Sequence, residues 1–295
     1  DRVLADEDAL RKDRVNVDLV GLTRDQPARA HAVDGDRREV VGLQREGHRR
    51  IDGISRHRKT TLLAKKRQAV DIASQDLSLV KDADLIILAT PVHTILKIAK
   101  NISRLVKPNA NVSDVGSTKQ EVVTQLSKLF PNYVGSHPLA GSEKRGVINA
   151  DAGMFNASLC ILTPAASTDK QSLIKISRLW NLLGARVVRL KPSLHDNVLS
   201  FVSHMPHLVA FSLVGSVPKK YLRFSASGFK DTTRIASSDA ALWKDIFISN
   251  RKSLLKALGT FKHRLSEIES AIIKKDAKGL EGILKKAKKT RDSLK

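Results

Sequence analysis

The segment Asp84-Leu85-Ile86-Ile87-Leu88-Ala89, halted by Thr90-Pro91, constrains this chain more than any other feature. It leaves no polar side for solvent, the pattern of a strand buried on both faces, and such strands belong to parallel sheets covered by helices. Proline cannot continue the strand but suits a helix start. Ile95, Leu96, Ile98, Ala99, Ile102 and Leu105 then repeat at helical spacing. A second strand over 110–114 ends at Gly116. Ser117 or Thr118 stands where a helix cap is needed, with Gln120 and Glu121 three residues on in each register.

The same alternation extends both ways. Residues 59–67 read as a helix and 69–72 as a short extended piece; further strands read at 159–163 and 185–188, around a helix over 173–183. This predicts an α/β domain over 53–191 with a largely parallel sheet, the remainder of a Rossmann-like unit. After residue 192 strand signals stop, and 192–295 reads as an all-α domain. Leu254, Leu258, Phe261, Leu265, Ile268 and Ile272 form an amphipathic stripe, too short for a coiled coil and suited to a helical core or subunit interface. The tail over 274–295 continues as a basic helix whose charges form a solvated face.

Residues 1–52 differ in kind. They hold ten Arg, one Lys and no Ser, Phe, Tyr, Trp, Met or Cys, whereas 53–295 hold 13 Arg, 28 Lys and abundant Ser. No sustained period of 2 or 3.6 runs through them, and no core strand is expected there. A dinucleotide-binding domain opens with an apolar strand running into a G-x-G-x-x-G turn, and that turn is absent from the sequence. The first segment reads as a wrong-frame translation joined near Gly53, with a disordered or divergent extension as the alternative.

The net charge of +22 resides after this seam: 1–52 carry 11 basic and 12 acidic residues, 53–295 carry 41 and 18. Such a field favours anionic partners, yet no nucleic-acid-binding motif accompanies it and aromatics make up 4% of the chain, so a lysine-rich solvated surface is the simpler reading. The single Cys160 excludes an internal disulfide and fits a reducing compartment. No apolar run approaches the ~18 residues of a membrane span, and no signal-peptide pattern opens the chain; a cytoplasmic protein is expected.

Chemistry concentrates in four places. In Gly135-Ser136-His137-Pro138-Leu139-Ala140-Gly141-Ser142-Glu143, a Pro- and Gly-punctuated loop sets an imidazole, His137, beside an acid, Glu143. Strand ends at Thr90-Pro91-Val92 and at Asp114-Val115-Gly116-Ser117-Thr118-Lys119 mark the sheet edge where ligands bind, and a helix N-terminus at Ser117 offers N–H groups to an anion or polarised carbonyl. Ser203-His204-Met205-Pro206-His207 places two histidines three apart, but Pro206 between them interrupts regular helix geometry and no metal is expected. Gly228-Phe229-Lys230-Asp231-Thr232-Thr233-Arg234-Ile235-Ala236 offers a guanidinium, Arg234, with Asp231 one turn earlier.

In this order and with these identities the motifs resemble the prephenate dehydrogenase family, NAD(P)-dependent enzymes of tyrosine biosynthesis. The resemblance covers 53–250 well, the helical tail loosely, and 1–52 not at all. It implies a Rossmann-like domain followed by a helical dimerisation domain, with oxidative decarboxylation of prephenate to 4-hydroxyphenylpyruvate as the reaction and a homodimer as the assembly. By resemblance His137 accepts the proton of the ring C4 hydroxyl, and Ser117 holds the same hydroxyl. Arg234, oriented by Asp231, grips the ring carboxylate. Ser203, His204 and His207 shape the pocket, partly across the dimer, with Asp196 buttressing a histidine, and Glu143 stands at the mouth. Trp243 is expected to pack rather than touch substrate. Thr90, Pro91, Val92, Asp114, Gly116 and Ser117 line the cofactor. Ser55 and Arg56 replace the acidic residue that holds a ribose diol in NAD-preferring relatives and suit a 2′-phosphate, so NADP is preferred and NAD is the alternative. Arogenate is an alternative substrate. A β-hydroxyacid dehydrogenase shares the architecture but gives no reason for the Gly-Ser-His-Pro motif; an inactive or non-enzymatic basic binding protein is the reading from the missing glycine turn.

Overall fold

The computed structural model describes residues 19–23, 51–140 and 152–294. One sheet of eight strands carries β1 (Leu19–Thr23), β2 (Ile51–Ile54), β3 (Ile72–Ser74), β4 (Leu85–Ala89), β5 (Asn111–Asp114), β6 (Tyr133–Pro138), β7 (Leu159–Thr163) and β8 (Arg186–Arg189), in the spatial order β3-β2-β1-β4-β5-β6-β7-β8. Helices α1 (Arg58–Lys66), α2 (Val92–Ile102), α3 (Gln120–Leu129) and α4 (Lys170–Leu182) cover it. The second part is helical: α5 (Pro192–Leu199), α6 (Met205–Ser216), α7 (Ser227–Thr233), α8 (Ala240–Ser249), α9 (Arg251–Ile273) and α10 (Ala277–Asp292).

The two-sided burial read into 84–89 is what the packing uses. Ile86 and Leu88 join Ile95, Ala99 and Ile102 of α2 and Val122 and Leu126 of α3 in one core cluster. Ile87, pointing the other way, joins Val134, Leu162 and the α4 residues Ile176, Leu179 and Trp180. Each fully buried Val, Leu or Ile among them contributes about 1.5–3 kcal/mol. β2–β3, β4–β5 and β5–β6 pair in parallel, while β7 returns antiparallel along β6 and β8 runs parallel to β7.

Four features depart from the sequence reading. First, Leu19–Thr23 does form a strand, and it is inverted: β1 pairs antiparallel with both β2 and β4, Leu19 opposite Ala89 and Thr23 opposite Leu85. A slot between two strand edges leaves two ladders of backbone groups to satisfy, and a short extended segment does so in either direction. Second, His137 lies within β6, opposite Ile161, rather than in a loop. Gly135 is required there by close packing, since a Cβ would sit 2.5 Å from Thr163 Oγ1 and 2.9 Å from Val123 Cγ2. Third, Pro206 does not interrupt the chain: α5 and α6 are joined by a π-helical segment, Ser200–His204, and Pro206 falls in the first turn of α6, where its missing N–H costs little. Fourth, the stripe on α9 is split. Leu254 is buried, but Leu265 and Ile272 are exposed.

The joined helix Pro192–Ser216 has the length and hydropathy to cross a membrane by composition. It nevertheless carries His195, Asp196 and His204, all buried and hydrogen-bonded within the protein.

Candidate active site

The site forms where β5 and β6 end against α5. The α3 N-terminus has no side-chain cap of its own; Lys119 takes the cap position. Ser117 is half-buried, and Thr118 donates to Ser249 Oγ at 3.1 Å instead of capping. The first N–H groups are taken by Asp196 from α5: Lys119 N donates to Oδ1 at 2.7 Å and Gln120 N to Oδ2 at 2.9 Å. A carboxylate at a helix N-terminus is favoured by both the free donors and the dipole. These donors, expected for a ligand, are therefore spent on a tie between the two domains.

Asp196 also fixes a chain of imidazoles. His195 Nδ1 lies 2.8 Å from Asp196 Oδ1, and His195 Nε2 lies 2.8 Å from His137 Nδ1. A carboxylate only accepts, so Nδ1 of His195 carries its proton, and its Nε2 accepts from Nδ1–H of His137. The network thus assigns His137 an unprotonated Nε2, a base with a free lone pair. All three side chains are buried, His137 at 8% exposure and His195 at 0%. Burial above all, then the neighbouring His195, Lys119 and His204, holds the His137 pKa well below the usual imidazole value. His195 is lowered too, by burial, with the hydrogen bond to Asp196 opposing. Both are neutral at pH 7, as a proton acceptor requires.

Beneath them lies a buried ion pair that the sequence reading missed. Lys119 is fully buried; its Nζ donates to Asp114 Oδ2 and, at 2.8 Å, to the Ser136 carbonyl. Asp114 also accepts from Gly116 N at 2.8 Å and from the Tyr133 hydroxyl at 2.6 Å. Its carboxylate is therefore saturated by partners within the protein. Only an acid five residues before a lysine pointed to this pair.

A second group of residues gathers on the helical side. His207 stacks on Trp243, centroids 3.5 Å apart and planes 20° apart, with its Nδ1 2.9 Å from the Ser203 carbonyl. His204 meets the same indole edge-on and lies 3.1 Å from Asn250 Nδ2, which also donates to the Asp196 carbonyl. Burial brings the His204 pKa down to about 4; burial and then Arg234 lower that of His207 despite its bond to Ser203. Arg234 is exposed but near enough to His207 to act on it. Asp231 is also exposed, and among the described residues no ion pair joins it to Arg234, so the expected orienting contact is not made within the chain. Among the described residues no group of histidine, cysteine and acid side chains could hold a metal ion. Glu143 lies outside the described residues.

At the sheet edge, Thr90 is buried and its Oγ1 has no hydrogen-bond partner among the described residues. It precedes Pro91 and the buried Val92 at the start of α2. Gly116 is needed where it stands, because a Cβ would lie 2.9 Å from Asp114 Oδ2. At the end of β2, Ser55 is buried and accepts from His57 N at 3.3 Å, while Arg56 is exposed. A nicotinamide cofactor fits the first half of this edge, where the orphaned hydroxyl awaits a polar partner. The diphosphate half is different: no two glycines in the sequence are spaced G-x-G, and inverted β1 directs its C-terminal end to the opposite edge.

The sequence matches the prephenate dehydrogenase nucleotide-binding domain over residues 41–189 and the prephenate dehydrogenase dimerization domain over residues 191–286. It is 36% identical over 257 residues to a prephenate dehydrogenase of Bacillus subtilis (strain 168), covering 83% of this chain and 69% of that one. The fold is similar to the crystal structure of prephenate dehydrogenase from A. aeolicus in complex with hydroxyphenyl propionate and NAD+, with TM-score 0.81, 33% identity, and 86% and 92% of the two chains covered. It is also similar to Synechocystis arogenate dehydrogenase, with TM-score 0.76, 30% identity, and 89% and 95% covered. With its histidine relay and both domains matched, the chain belongs to the prephenate dehydrogenase family.

Proposed function

We propose that this chain catalyses the oxidative decarboxylation of prephenate to 4-hydroxyphenylpyruvate with a nicotinamide cofactor. The observation that carries the reading is the Asp196–His195–His137 relay, which leaves Nε2 of His137 as a buried, neutral base. The cofactor, when bound, supplies the acceptor for the hydride that leaves ring C4. His137 Nε2 takes the C4 hydroxyl proton as that hydride departs, with Ser117 holding the hydroxyl in register. The ring carboxylate then leaves as carbon dioxide, its electron pair aromatises the ring, and the imidazolium returns its proton to the phenolate oxygen. The proton goes out and back, so the base needs no path to bulk water; the burial of His195 and Asp196 suits such a cycle. Arg234 grips the ring carboxylate, while Ser203, His204 and His207 bound the pocket.

Thr90, Pro91, Val92 and Gly116 are the residues that would meet the nicotinamide half, and Ser55 and Arg56 the adenosine ribose, where Arg56 favours NADP over NAD. Without a glycine turn, cofactor affinity is expected to be weak while the chemistry above it is complete. The exposed apolar residues Val202, Phe224, Ile248 and Leu255 of the helical domain fit a homodimer interface. Incubation with prephenate and saturating NADP+ or NAD+, read by absorbance of the reduced cofactor and by product identity, tests the assignment. Formation of 4-hydroxyphenylpyruvate is expected; turnover of arogenate alone would change the substrate, and no turnover of either at saturating cofactor would overturn the reading.

A further inference from the structure

We propose that Lys119 is a positioning residue for His137, fixing the backbone that carries the imidazole and keeping a permanent positive charge beneath the His137–His195 pair. This deepens the functional reading and rests on it. Lysine is among the residues least often fully buried, and then only with partners. Here the ammonium is fully buried and bonded to two groups, the Asp114 carboxylate and the carbonyl of Ser136, the residue immediately before His137. The same residue's backbone N–H holds Asp196, the far end of the relay. Lys119 therefore holds Asp196 at one end of the Asp196–His195–His137 chain and the residue preceding His137 at the other, without touching the reacting atoms.

The charges around His137 can be read element by element. From α5 come His195 and Asp196, from the π-helical segment His204, from the turn before α3 Lys119, from β5 Asp114, from β6 itself Tyr133, and from β7 the buried thiol of Cys160, pushed up to about 12 by burial. Two carboxylates and one ammonium leave one net negative charge, which a single imidazolium balances. The site thus tolerates one proton during turnover, while Lys119 opposes its arrival at rest. After burial and His195, Lys119 is the next cause holding the His137 pKa down. An ordinary structural lysine would not set a titration.

The test compares wild type, Lys119→Met and the double variant Asp114→Asn/Lys119→Met. The double variant leaves neither partner of the buried pair as an unpaired charge, so it guards against misfolding of the single one. The acid limb of kcat/KM is read against pH, and the histidine side chains are titrated by NMR in cofactor-free protein. Removing the cation alone leaves two carboxylates facing the imidazoles, so the limb of Lys119→Met moves to higher pH, with activity falling about tenfold per pH unit below it. The His137 resonance moves in the same direction. The double variant keeps the net charge but loses the tie to the Ser136 carbonyl, so its limb stays near that of wild type while its kcat falls. A folded Lys119→Met variant whose limb and His137 titration match wild type, or a folded double variant with wild-type kcat, would overturn the proposal. If wild type turned over no substrate, the functional reading would fail separately, and the titration alone would still decide the role of Lys119.

Discussion

The two halves of the sheet edge behave differently. Around β5 and β6 nearly every buried polar atom has a designated partner: Asp114 accepts from Lys119, Gly116 and Tyr133, Asp196 from Lys119, Gln120 and His195, and the Ser136 hydroxyl bonds Ser113 and accepts from Trp180. A buried network satisfied in this way has one arrangement and can hold a base within a fraction of an ångström. Around β1–β3 the sheet is completed by a strand of the wrong direction for a dinucleotide site. Filling a slot needs only backbone hydrogen bonds; holding a diphosphate needs a particular strand end, turn and helix start. The difference teaches that catalytic geometry and cofactor capture are separable in this fold.

Breaking one region should leave the other standing. The largest effect is expected for His137→Asn, which keeps a side chain of similar reach but removes the base: kcat falls by about 10²–10⁴, with affinity for a substrate analogue little changed, measured by steady-state kinetics and calorimetry. Arg234→Gln should act on binding instead, raising KM for prephenate roughly ten- to hundredfold through loss of a charged hydrogen-bond pair. If KM stayed put, Arg234 would serve the surface alone. Replacing residues 1–50 by a parallel strand with a glycine turn should tighten NAD+ or NADP+ by about tenfold or more, seen as a lower Kd, with kcat at saturation unchanged. A matching change in kcat would mean the two regions are coupled. Smallest is Thr90→Val. It removes a buried hydroxyl that has no partner among the described residues, so Tm of the free protein holds or rises, while cofactor binding weakens by about 1–3 kcal/mol.

Much of the first region was legible because buried parallel strands write continuous apolar runs and their helices repeat at 3.6. The strand at 84–89 and the helix after it are examples. His137 was found from its residue type and neighbours, but its placement was misread: Gly135 and Pro138 look like loop punctuation, and only the closeness of Thr163 and Val123 explains the glycine within a strand. The relay itself could not be read, since it joins residues 58 positions apart. Lys119 escaped for a related reason. A lysine beside a helix start looks solvated, and its burial depends on Asp114 and the Ser136 carbonyl converging from two strands. The direction of β1 was equally hidden, because Leu-Val-Gly-Leu-Thr pairs as well either way and the neighbouring strands decide.

The central claim is that Asp196 orders both imidazoles so that His137 presents a bare Nε2. Side-chain nitrogen NMR of histidine-labelled, cofactor-free protein at neutral pH reads this directly, because protonated and bare ring nitrogens differ widely in chemical shift. The account predicts that His137 and His195 are both neutral and both carry hydrogen on Nδ1. A His137 ring protonated on Nε2, alone or with Nδ1, would contradict it.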